Sequence, residues 1–182
     1  SLDGNRYYQS GNPITTTVSF DKFLEFADQF PNLALNSVQL TIDVEDADNF
    51  DPPASLRLKY LNSSNEFVNF FSNIEAESTL PLYPNIMTYD EEGWFIIGQR
   101  STNNIITPIY DLLYDSETKQ YKGDLTDFFQ FLYDIKDENL RYTNFTLMTN
   151  NPQINLSINR TIFNKDNIKL KIFYTVPLKR NN

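Results

Sequence analysis

The chain has 182 residues, 40% of them hydrophobic, with 15 Phe, 11 Tyr and a net charge of -9. That is the length of one domain, expected over residues 1–182, and it is too apolar and aromatic for a disordered chain. An acidic surface repels phosphate backbones, which argues against nucleic acid as a partner, and the absence of Cys and His removes disulfides, thiol or imidazole metal sites, Cys nucleophiles and imidazole acid–base chemistry.

The chain begins "SLDGNRYYQSGNP", which lacks the basic and apolar segments of a signal peptide; the expectation is a cytosolic chain or one whose leader has been removed. A strand is predicted over 14–20. In "FDKFLEFADQFP" a short helix follows, with Phe23, Leu24, Ala27 and Phe30 on one face and Pro31 ending the run. Period-two alternation then sets Val38, Leu40, Ile42 and Val44 inward against Gln39, Thr41 and Asp43. The acidic stretch 43–53, closed by Pro52 and Pro53, reads as a loop.

In "SLRLKYLN" the inward set is Leu56, Leu58 and Tyr60, with Arg57 and Lys59 outward. Residues 69–92 are irregular. Strands are predicted over 94–99 and 108–114, the latter running into a turn at Asp115 to Thr118 and a returning strand. A second helix in "GDLTDFFQFLYDIKDE" takes Asp124 as N-cap, buries Leu125, Phe128, Phe129 and Leu132, and leaves Phe131 and Tyr133 off its dry stripe. Strands over 143–149 and 153–162 precede the clearest alternation, "NIKLKIFYTVP". There Ile168, Leu170, Ile172, Tyr174 and Val176 oppose Lys169, Lys171, Phe173 and Thr175. The predicted fold is mainly β: an antiparallel, jelly-roll-like β-sandwich with two short helices.

Candidate chemistry is sparse. Asp46, Asp48 and Asp51 are possible calcium ligands, but the run lacks the turn Gly and closing Glu of a calcium loop, so a solvated loop is the leading reading and no cofactor is expected. Carboxylate-dependent glycoside hydrolysis is the one mainstream catalysis this composition permits; Asp90, Glu91 and Glu92, or Asp134, Asp137 and Glu138, are candidates that nothing singles out. Tyr83, Tyr89 and Trp94 fall in one stretch and could stack on sugar rings. Phe131, Tyr133 and Phe173 are placed for exposure and could contact a protein partner. Sequons at Asn62, Asn144, Asn155 and Asn159 matter only in a eukaryotic host.

Three stretches carry a resemblance. "YYQSGNPITTTVSFDKFLEFADQFPNLALNSVQLTIDV", "GDLTDFFQFLYD" and "NRTIFNKDNIKLKIFYT" together resemble a family of Bacteroidetes outer-membrane lipoproteins that has no assigned function. Ser10 stands where that family commonly has Gly, and 66–104 has no counterpart. The resemblance implies two antiparallel sheets, pairing of 36–44 with 168–176, and a precursor with a lipidated Cys upstream of Ser1. It also implies a cell-surface location with membrane association only through that anchor, and it supplies no catalytic residues. The functional expectation is a non-catalytic surface domain that binds a partner protein or glycan, with a glycoside hydrolase or a structural, adhesive subunit as alternatives.

Overall fold

The structure is a computed structural model that describes residues 5–9, 15–45, 51–62, 64–66, 87–89, 95–97, 99–100, 106–107, 111–135, 143–149 and 160–177. In chain order the elements are β1 (Asn5–Gln9), β2 (Thr16–Ser19), α1 (Asp21–Ala27), β3 (Ala34–Glu45), β4 (Ser55–Tyr60), β5 (Met87–Tyr89) and β6 (Phe95–Ile97). They continue with β7 (Gln99–Arg100), β8 (Ile106–Thr107), β9 (Leu112–Asp115), β10 (Gln120–Asp124), α2 (Thr126–Asp134), β11 (Asn144–Met148) and β12 (Arg160–Thr175). One antiparallel sheet runs β1-β12-β3-β10-β9-β4-β11-β2 and curls into a half-barrel; β5 and β6 branch from β4, and β7 pairs with β8.

Strand β4 joins β9 to β11 within the sheet. Its first residues, Ser55 and Leu56, pair with Leu113 and Leu112 of β9, whereas Arg57 to Tyr60 pair with Met148 to Phe145 of β11. It also pairs with β6 through Lys59↔Ile96, so one strand takes part in three pairings, and the mainly β, antiparallel character with two helices is as expected.

The alternation in β3 holds: Val38, Leu40 and Ile42 are buried while Gln39 is exposed and Asp43 intermediate. The long partner β12 pairs with it from Ile168↔Ile42 to Thr175↔Ala34, the pairing expected for these segments, with register shifts after Phe163 and after Phe173. Ile168, Leu170 and Ile172 are only half-buried against the core, and Tyr174 is exposed at 42%. In β4 the expectation fails on one face. Arg57 and Lys59 are buried, at 2% and 5% exposure, as completely as Leu56 and Leu58 on the other face. A strand flanked by others and covered on both sides loses the polarity contrast on which alternation relies, and Arg57 instead meets Asp111 in a bidentate pair at 2.7 and 3.0 Å.

Both helices sit on the core. Phe20 and Phe23 meet Phe129 edge-on, with ring centroids at 5.0 and 4.5 Å, and Phe128 meets Phe145 at 5.5 Å. Helix α1 stops at Ala27, short of Pro31, because Gln29 N–H and Phe30 N–H turn back to Phe26 and Ala27 carbonyls. At the start of α2 the Asp124 carboxylate accepts from the Thr126 N–H at 2.9 Å, so it caps the helix from one residue outside the cap position, which Leu125 occupies.

Helix α2 also finishes β3. Thr126 Oγ1 accepts the Val38 N–H at 2.8 Å, Gln130 Oε1 accepts the Leu35 N–H at 2.8 Å, and the Tyr133 hydroxyl accepts the Leu33 N–H at 2.9 Å. Positions 126, 130 and 133 share one helical face, and that face satisfies donors that β12, on the other side of β3, does not reach.

This arrangement corrects the expected patch. Phe131 and Tyr133 are buried, at 8% and 6% exposure, and only Phe173, at 48%, stands at the surface. At 100° per residue the buried positions of α2 from Phe131 round to Tyr133 cover an arc of about 200°, wider than the single stripe assumed from the sequence. Tyr133 is drawn in by its hydroxyl, which also donates to the Phe30 carbonyl at 2.9 Å.

Candidate functional site

Paired residues of neighbouring antiparallel strands share a face, so register alone assembles the outer surface of β10, β3 and β12. Thr41 pairs with Lys122 on one side and Lys169 on the other; Gln39 pairs with Asp124 and Lys171; Asp43 pairs with Gln120. These side chains line an open concavity of about 600 Å3. The row through Thr41 continues to Leu113 of β9, which is 62% exposed. Phe173 follows Lys171 on the same face of β12, and the Lys171 ammonium lies 4.8 Å from its ring centre.

The charges are unevenly committed. Asp43 Oδ1 accepts from Gln120 Nε2 at 2.8 Å and Oδ2 lies 4.0 Å from Lys169 Nζ. Asp124 is occupied by the N–H and hydroxyl of Thr126. Lys122 donates to Asp115 at 2.7 Å and to Thr118 Oγ1 at 2.8 Å. That lysine, with the Thr118 side chain and the turn N–H groups, holds the Asp115 carboxyl well below the usual carboxylate range. Lys169 and Lys171 keep most of their donors for solvent.

Below this face the floor is tightly fitted. Gly123 leaves room for Leu112, whose Cδ2 would overlap a methyl at that position. Tyr121 is fully buried and donates to the Pro53 carbonyl at 2.7 Å, which anchors the end of the acidic stretch to β10.

Of the residues singled out in the sequence, Phe173 stands beside Lys171, which lines the concavity. Tyr83 and Trp94 lie outside the described residues; Tyr89 ends β5, whose partner β6 joins the sheet at β4, away from β12. Asp46 and Asp48 lie outside the described residues, Asp51 is exposed, and among the described residues no group of three or more acidic side chains is gathered as for a metal ion. Asp134 is exposed at the end of α2, accepting from Gln130 at 3.2 Å, while Asp90, Glu91, Glu92, Asp137 and Glu138 lie outside the described residues. The concavity was not anticipated. Its signal lies in the outward sets 39/41/43 and 169/171, which become one surface only through register.

The described chain is thus a curled antiparallel sheet with a polar concavity on its outer face. Comparison with protein-family models, curated proteins and solved structures finds no match to it. No helix among the described residues is long and apolar enough to cross a membrane.

Proposed function

We propose that this is a non-catalytic glycan-binding domain, displayed at the cell surface as part of an outer-membrane lipoprotein, with the half-barrel belonging to a jelly-roll-like sandwich. The observation that carries the glycan reading is the concavity on β10, β3 and β12. It offers amides from Gln39 and Gln120, the Thr41 hydroxyl, two carboxylates and lysine ammonium groups on one sheet face, with the exposed Phe173 ring next to the lining Lys171. Such a mix of donors and acceptors suits sugar hydroxyls, and a ring face suits their C–H patches.

The same register supports binding without hydrolysis. Asp43 lies opposite Gln120 and Asp124 is four residues further along β10, so at about 3.4 Å per residue the backbone positions that carry the two lining carboxylates are about 14 Å apart along the strand. Carboxylate pairs that cleave glycosidic bonds stand about 5 to 9.5 Å apart. A panel of immobilised oligosaccharides tests the reading: binding that weakens in Gln39→Ala and Gln120→Ala, with no shortened product after long incubation, supports it. Turnover would reassign the domain as a hydrolase, and failure to bind any member would remove the glycan reading.

A protein partner is the second reading. Tyr174, which packs on Phe26 and Phe30 while staying 42% exposed, and Val176 just past β12, exposed at 37%, would suit the apolar centre of a small interface.

A further inference from the structure

We infer that the concavity selects an anionic saccharide, one bearing carboxylate or sulfate groups, and that Lys169 and Lys171 are its charge-reading residues; this rests on the glycan reading above. The chain carries a net charge of -9, yet this face sets Lys122, Lys169 and Lys171 against the two lining carboxylates Asp43 and Asp124. Both carboxylates already accept protein donors, from Gln120 and from Thr126. Lys122 is spent on Asp115 and Thr118. Lys169 reaches Asp43 only at 4.0 Å with its side chain 64% exposed, and Lys171 contacts the Phe173 ring.

Two ammonium groups with spare donors therefore project from one strand, two residues and about 7 Å apart, beside an exposed ring. An acidic sugar seated there would place its anionic group on the lysines and its C–H face on Phe173, whereas a neutral sugar would leave the cations without return for their lost hydration. The acidic remainder of the molecule repels an anionic chain, so the selectivity is confined to this face and does not extend to polyanions in general.

The probes are a hexamer of galacturonic acid, its fully methyl-esterified form, and a chondroitin sulfate hexamer, titrated against the whole chain at low and high salt. The expected result is tighter binding of an acidic probe than of the neutral ester by about ten-fold, since hydrogen bonds to charged groups are roughly twice as strong as neutral ones. Salt at 0.5 M should weaken only the acidic probe. Lys169→Gln and Lys171→Gln should each lose about five-fold on the acidic probe and nothing on the ester, while Lys22→Gln on exposed α1 leaves both unchanged. Preference for the uronate over the sulfate, or the reverse, identifies the anion. Equal, salt-insensitive binding of the ester and the acid overturns the charge selection and leaves glycan binding standing. No binding of these probes, together with binding of a neutral glycan elsewhere in the panel, overturns it likewise, and silence across the whole panel removes both readings.

Discussion

Replacing Tyr133 by Phe removes one oxygen and nothing else, which makes it a sharp probe of how α2 holds β3. The hydroxyl accepts from Leu33 N–H and donates to Phe30 C=O, both at 2.9 Å, and bridges the segment between α1 and β3. Leu33 is itself buried at 5% exposure, so water cannot readily replace the lost acceptor. Leaving a buried backbone donor unmet costs about 1–3 kcal/mol, and at about 2–4 °C per kcal/mol for a chain of this size a central loss of ~2 kcal/mol lowers the midpoint by about 4–8 °C. Urea unfolding followed by tryptophan fluorescence and a calorimetric scan give the two numbers. Gln130→Ala leaves the Leu35 N–H, which Gln130 Oε1 accepts at 2.8 Å, without that acceptor and should likewise cost about 1–3 kcal/mol. A Tyr133→Phe chain within about 0.3 kcal/mol of the parent, as expected of a surface ring far from special contacts, would refute the edge-capping account and restore Tyr133 to a surface role.

Gly123→Ala forces a methyl against Leu112 and should cost about 1–3 kcal/mol by overpacking, with part of the loss recovered in the double variant Gly123→Ala, Leu112→Val; additive losses in urea would contradict this contact. Asp111→Ala removes the bidentate carboxylate partner of the Arg57 guanidinium, whose side chain is 3% exposed, and should cost about 3 kcal/mol, whereas the paired change Arg57→Met, Asp111→Leu should cost less. Because the folded Asp115 carboxyl is held below its unfolded value of about 3.9, its contribution to stability is present above that value and is lost as pH falls through the folded one. Lys122→Met should therefore move the Asp115 titration, followed by carboxyl-carbon resonances, upward toward the ordinary range; an unmoved titration would show that Lys122 is not the cause.

Much of the sheet was legible because a strand with one wet face writes its orientation into its residues. Val38 to Val44 reads correctly for that reason, the hairpin around Asp115 to Thr118 through its turn residues, and residues 168–175 pair with β3 as the resemblance implies. Arg57 and Lys59 are polar yet buried because β4 is covered on both faces, and Asp111 offsets the buried guanidinium, a partner no local window shows. Phe131 and Tyr133 misled because a helix that lies in a trough dries more than one stripe, and because a phenol can be buried for its hydroxyl. The concavity is a property of register among residues 39–43, 120–124 and 169–171. No local window holds all three, so lysines that look like ordinary outward residues in one strand become a site only across strands.

Titration of the isotope-labelled domain with a bound oligosaccharide from the panel, followed by backbone amide shifts, locates the ligand without presuming its chemistry. Binding on the outer sheet face should move amides of Gln39 to Asp43, Gln120 to Asp124 and Lys169 to Phe173 while those of α1 stay still. Shifts gathered instead around β5 and β6, or spread evenly with no cluster on β10, β3 and β12, would place recognition elsewhere and contradict the assignment of this face.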